Sequence, residues 1–135
     1  MFKIIIVTHG SLASGFADTL EYFLPEERAV TAIDLGGKSL TAFEAEITEA
    51  INGTELPILA LVDLFQGTPF KTVYGQLVHR PGSQVVSNAN FGSVLTAAMN
   101  RNNPLSEVME EILAAGQQNM YDPQQLLMIV NEGDE

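Results

Sequence analysis

Short apolar runs alternate along this chain with longer segments in which apolar residues recur every three or four positions. Lys3–Thr8, with Ile4-Ile5-Ile6-Val7 at its centre, predicts a strand buried on both faces. Ser11–Leu24 predicts a helix, since Leu12, Phe16, Leu20, Phe23 and Leu24 share helical spacing and Pro25 lies just beyond. Ala29–Asp34 reads as a second strand and Gly36-Gly37 as a turn. Leu40–Ile51 reads as a helix with Phe43, Ile47 and Ile51 on one face, stopped by Asn52-Gly53. Pro57–Asp63 is the third expected strand. Thr68–Val78 is a helix that Thr68 would cap, with Pro69 in its first turn.

After the turn at Pro81-Gly82, Gln84–Ser87 reads as a fourth strand leading into Asn88-Ala89-Asn90. Ser93–Met99 predicts a short helix and Leu105–Ala115 a longer one, with Gly116 near its end. Leu126–Val130 is apolar enough for a last strand, expected to run antiparallel at a sheet edge or to join a neighbouring subunit's sheet. The acidic tail 131–135 is expected to fray. Strands alternating with helices in this way predict an α/β fold. The expected architecture is one domain spanning 1–135, a three-layer sandwich around a mostly parallel, doubly wound sheet. Its strand order is expected to be 2-1-3-4, the order of the commonest doubly wound topologies, with the antiparallel C-terminal strand at an edge.

Composition narrows the chemistry. The chain has 135 residues and no cysteine, which excludes disulfides, thiolate metal sites and cysteine nucleophiles. Its formal charge is −11, and the six bases are scattered, so no basic stripe exists for nucleic acid. That balance favours a protein partner with a positive face, or simply solubility. No signal-peptide pattern follows Met1 and no apolar stretch approaches the roughly 20 residues of a membrane span, so a cytoplasmic protein is expected.

Two strand ends carry titratable residues: Thr8-His9-Gly10-Ser11 after the first and Asp63, with Gly67-Thr68-Pro69 beyond it, after the third. In the expected strand order they face each other across the crevice where the winding reverses. A carboxylate that accepts one ring N–H fixes the imidazole tautomer and leaves the other nitrogen's lone pair directed outward. That nitrogen can act as a base, bind a metal or attack phosphorus. Helices are expected to begin beside both residues, and their amino ends favour an anion. Gly10 and Gly67 permit close backbone approach, and Ser11 and Thr68 supply hydroxyls. His9 and Asp63 are therefore the catalytic candidates, with Gly10, Ser11, Gly67 and Thr68 as phosphate-binding candidates. His79 lies at a predicted helix end and reads as a surface residue. Met99, Met109, Met120 and Met128 read as core or interface fillers, and Phe65 and Phe70 as core. Two histidines in unlike places give no metal-ligand cluster.

Three blocks carry a family resemblance: Thr8-His9-Gly10, Leu61-Val62-Asp63-Leu64-Phe65-Gln66-Gly67-Thr68-Pro69-Phe70, and Asn88-Ala89-Asn90-Phe91-Gly92. The chain resembles the enzyme IIA domain of the mannose-type sugar phosphotransferase system. The resemblance implies that His9 accepts a phosphoryl group from the histidine-containing carrier protein and passes it to enzyme IIB during sugar uptake. It implies Nε2 as the acceptor, Asp63 as the partner of Nδ1–H, Thr68 at phosphate, no cofactor, and a homodimer paired through the C-terminal strand. Phe65 and Asn90 are candidates to contact partners. Gln66 stands where the family has glycine, Thr68 where it has serine, Lys71 where asparagine is common, and Gly92 where proline is usual. Gln66 would alter the loop if the glycine there uses a positive φ, and Gly92 would loosen a turn. The residues by themselves leave two other readings open: a non-catalytic anion-binding or regulatory module, and a hydrolase with Ser11 or Thr68 as nucleophile.

Overall fold

In a computed structural model, residues 1–25 and 30–127 are described. The elements run β1 (Lys3–Thr8), α1 (Leu12–Phe23), β2 (Val30–Asp34), α2 (Leu40–Asn52), β3 (Ile58–Val62), α3 (Thr68–Leu77), β4 (Gln84–Val86), α4 (Phe91–Met99) and α5 (Leu105–Gln118). The sheet has the order β2-β1-β3-β4, and every pairing in it is parallel. Thr8 lies opposite Asp34 on one side of β1, and Val7 opposite Val62 on the other. The winding reverses at β1, which opens a crevice beyond the carboxyl ends of β1 and β3.

Alternation along the central strands builds the three layers, because successive side chains point to opposite faces. Ile4 and Ile6 join Leu59 and Leu61 under α1, α4 and α5, where Leu20, Val94, Val108 and Ile112 cover them. Ile5 and Val7 join Ala60 and Val62 on the other face, under Phe43 and Ile47 of α2 and Val73 and Leu77 of α3. Each of Ile4, Ile5, Ile6 and Val7 is fully buried. Truncating any of the three isoleucines to alanine therefore removes about 2–5 kcal/mol.

Several expectations are corrected. The antiparallel edge strand does not form among the described residues: residues 123–127, which include Leu126 and Leu127, are helical. The cause is local. Asp122 Oδ1 accepts the Gln124 N–H and the Asp122 carbonyl accepts the Leu126 N–H, both at 3.0 Å, so an Asp-Pro pair starts a helical turn there. Met128–Val130 and the acidic tail lie outside the described residues, as does Ala29 at the expected start of the second strand. Thr68 is not the cap of α3; that position is Gly67, and no side chain caps the helix.

Gly92 does not loosen a turn. It lies in the first turn of α4, where a Cβ would stand 2.9 Å from the Ala115 carbonyl oxygen, so the close crossing of α4 and α5 excludes a side chain. That helix starts two residues before Ser93, because Asn90 and Ser93 form a reciprocal capping box. Met99 and Met120 are not core residues, at 67% and 87% exposed, and Phe65 is 58% exposed. Met109 packs partly buried against the core. Among the described residues no helix is long and apolar enough to cross a membrane.

Candidate functional site

The segment that carries His9 is held from both neighbouring strands. The Thr8 carbonyl accepts the Leu35 N–H at 2.8 Å, and the Gly10 carbonyl accepts the Gly36 N–H at 3.1 Å. Gly10 has φ +53°, a left-handed turn that a β-carbon would strain. Thr8 Oγ1, fully buried, accepts the Ala13 N–H at 2.7 Å. Asp34, at the end of β2, accepts the Ser14 N–H at 3.0 Å and also takes the Ser14 hydroxyl.

Asp63 approaches from β3. Its Oδ2 accepts the His9 backbone N–H at 3.0 Å and lies 3.0 Å from His9 Nδ1, while Oδ1 accepts the Leu64 N–H at 3.1 Å. An ionised carboxylate only accepts, so Nδ1 carries the ring proton and Nε2 keeps its lone pair. The carboxylate is sheltered and the imidazole is open, with side chains 12% and 41% exposed. In the neutral imidazole this tautomer directs the Nε2 lone pair outward from a fixed ring.

The ring edge points at the start of α3. A Cβ on Gly67 would stand 2.6 Å from His9 Cε1 and 3.2 Å from Nε2, so only glycine lets the imidazole lie against this backbone. With no side chain capping α3 and Pro69 lacking an N–H, the first amides of this helix face the crevice, where they favour an anion. The sequence pattern predicts two such helix ends. The structure leaves one, because the Ala13 and Ser14 amides of α1 are already taken by Thr8 and Asp34. His9, Asp63 and Gly67 thus come together with exposed Thr68 beside them, whereas Gly10 and Ser11 lie on the α1 side.

Phe65 is exposed on the loop after Asp63. Its N–H donates to Asn88 Oδ1 at 3.0 Å, and its ring meets Phe70 edge-on at 4.9 Å. The Asn90 side chain accepts the Ser93 N–H at 3.1 Å and donates to the Gly116 carbonyl at 2.8 Å. Gln66, at the position the family fills with glycine, has φ +68°. Sequence reasoning missed Thr8, Asp34 and Asn88. Asp34 carried a signal, since it ends its strand as Asp63 does. His79 is exposed just past α3. Among the described residues no group of three or more His, Cys, Asp or Glu side chains is arranged to hold a metal.

An open parallel sheet with a histidine and a carboxylate paired at its switch point defines an α/β protein of the doubly wound class. The family model EIIA-man, described as PTS system fructose IIA component, matches residues 3–115, and the chain belongs to that family. It is a phosphotransferase component of a sugar phosphotransferase system. The chain is 29% identical over 103 residues to the sorbose-specific EIIA component of Lacticaseibacillus casei, covering 75% of each chain. It superposes on a phosphotransferase system component EIIA from Streptococcus agalactiae with a TM-score of 0.84 at 24% identity, covering 93% of this chain and 99% of that one. For the mannose/sorbose specific IIA subunit from Enterococcus faecalis the TM-score is 0.75 at 22% identity, covering 89% and 92%. At these identities the two structures speak to the fold alone.

Proposed function

We propose that His9 is the phosphoryl-accepting residue of this chain, with residues 1–135 working as one domain. The observation that carries the reading is the 3.0 Å contact of Asp63 Oδ2 with His9 Nδ1, which in the neutral ring directs the Nε2 lone pair toward the uncapped start of α3. The lone pair of Nε2 attacks the phosphorus of a phosphohistidine on the histidine-containing carrier protein. As the new P–N bond forms, the donor's P–N bond breaks and its imidazole leaves with the electron pair. His9 keeps the proton on Nδ1, and Asp63 offsets the positive charge that builds on the ring. Gly67 and Thr68 receive the phosphoryl oxygens, with Gly10 and Ser11 closing the other side. The reverse steps hand the group to enzyme IIB, which serves sugar entry through a membrane permease.

Phe65 and Asn90 border this face and contact the partners. The protein works in the cytoplasm as a homodimer and needs no cofactor for the transfer. A hydrolase would need a hydroxyl bonded to the imidazole; among the described residues, the ring's hydrogen bond goes to Asp63. The test is 15N NMR of the phosphorylated protein labelled at histidine. The expected spectrum shows His9 substituted at Nε2 with a proton on Nδ1. Substitution at Nδ1, or at His79, contradicts the assignment.

A further inference from the structure

Among the described residues two that are not glycine have a positive φ, Gln66 at +68° and Asn88 at +56°. They lie on neighbouring loops, one after β3 and one after β4. Asparagine tolerates the left-handed region because its short polar side chain finds hydrogen bonds close by. Glutamine is not favoured there, so the surroundings of Gln66 must hold it in place.

Asn88 supplies that hold. The ladder between β3 and β4 ends at Leu61 and Val86. Beyond it, the Ala89 N–H donates to the Val62 carbonyl at 2.9 Å, and Asn88 Oδ1 accepts the Phe65 N–H at 3.0 Å. Two consecutive residues therefore fasten the β3 loop on either side of Asp63, at Val62 and at Phe65. Asp63 Oδ2 takes both His9 donors, and Oδ1 takes the Leu64 N–H. Gln66 comes straight after the clamped Phe65, and Gly67 after that, against the imidazole, where a Cβ would stand 2.6 Å from His9 Cε1. The stretch 63–67 thus carries both the carboxylate that meets Nδ1 and the backbone that Nε2 faces.

We propose, resting on His9 as the phosphoryl acceptor, that Asn88 is a positioning residue for the transfer. Its side-chain carbonyl clamps the Phe65 N–H and so holds Asp63 and Gly67 together in register with the imidazole. Asn88 acts through the main chain of the loop. Reacting groups must be held within about 0.5 Å, and a displacement of about 1 Å costs roughly 100-fold in rate. Phe65 and Asn88 are both exposed, so a released Phe65 N–H finds water and folding loses little. What is lost is the fixed geometry of the loop. Asparagine combines tolerance of the left-handed backbone with a neutral carbonyl acceptor, whereas glycine offers the backbone alone.

The test compares wild type, Asn88→Gly and Asn88→Asp. Glycine keeps the left-handed backbone and removes the acceptor; aspartate keeps both. In the unphosphorylated protein, hydrogen exchange at the Phe65 amide and the 1H–15N signal of His9 Nδ1–H read the clamp directly. In Asn88→Gly the Phe65 amide exchanges about tenfold faster and the Nδ1–H signal broadens, while Asn88→Asp keeps both signatures. In single-turnover transfer from the phosphorylated histidine-containing carrier protein, Asn88→Gly lowers the maximal rate about tenfold. The half-saturating carrier concentration and the urea midpoint stay at wild-type values. A Phe65 amide equally protected in Asn88→Gly, or exposed in Asn88→Asp as well, denies the clamp. A wild-type maximal rate in Asn88→Gly overturns the positioning role. A raised half-saturating concentration with that rate unchanged makes Asn88 a partner contact and also overturns it. A rate loss that follows a lowered urea midpoint, with the Nδ1–H signal unaltered, assigns Asn88 to folding alone and overturns it too. Failure of wild type to take a phosphoryl group refutes the phosphocarrier reading itself, whereas the two NMR signatures need no phosphoryl donor and decide the clamp separately.

Discussion

Replacing Gly67 with alanine should separate catalysis from folding. The added Cβ would stand 2.6 Å from His9 Cε1 and 3.2 Å from Nε2. Ordinary carbon contacts need about 3.5–4.0 Å, so the ring must retreat by roughly 1 Å. Its main chain cannot follow, because the His9 N–H is held by Asp63 at 3.0 Å and the Thr8 carbonyl by the Leu35 N–H at 2.8 Å. The imidazole therefore swings on its own bonds, and the 3.0 Å contact between Nδ1 and Oδ2 stretches beyond hydrogen-bond range. The backbone at Gly67, with φ −78° and ψ 171°, suits alanine without strain. Stability should change by less than about 1 kcal/mol, helped by the lower entropy of the unfolded chain. A reactive group displaced by about 1 Å loses roughly 100-fold in rate. The assay is single-turnover transfer from the phosphorylated carrier by rapid quench, paired with urea unfolding. A Gly67→Ala protein that folds normally and transfers at the wild-type rate would refute the reasoning.

Other substitutions test neighbouring parts of the account. Asp63→Asn supplies an amide that cannot accept from both His9 donors through one ionised oxygen, so transfer should slow by at least about 100-fold while the circular dichroism spectrum is kept; near-normal transfer would deny Asp63 its orienting role. Gln66→Gly relieves the left-handed conformation at φ +68° and should raise the unfolding free energy by about 0.5–1 kcal/mol in a urea titration; a loss of stability would show that the glutamine side chain holds the loop. Arg80→Lys removes the planar fork that serves the Ile51, Thr54 and Leu56 carbonyls and should destabilise by about 1–3 kcal/mol with transfer kinetics unchanged; full rescue by lysine would mean that charge alone matters there.

Much of this architecture was legible in the pattern of apolar positions. Ile4–Val7 and Ile58–Val62 are continuous apolar runs because both faces of the sheet are covered, and that burial fixes them as central strands. With β1 and β3 central and paired, His9 and Asp63 meet at one end, as their places at the strand ends require. Details set by tertiary contact were not legible. The Asp34 carboxylate reaches Ser14 across the register between β1 and β2, which no local pattern encodes, and it closes the helix end that had looked open to an anion. Gly92 looked like a loosened turn because its neighbour, the Ala115 carbonyl, is distant in sequence. Leu126 and Leu127 read as strand on side-chain character alone, whereas the cap at Asp122 starts a helical turn.

The central claim is that His9 carries the phosphoryl group. The most direct measurement is the intact mass of the protein after incubation with phosphoenolpyruvate, enzyme I and the histidine-containing carrier protein. The account predicts one added phosphoryl group, lost in acid, stable in base and absent from His9→Ala. No mass change with an active carrier, or a His9→Ala protein that still gains the group, would contradict it.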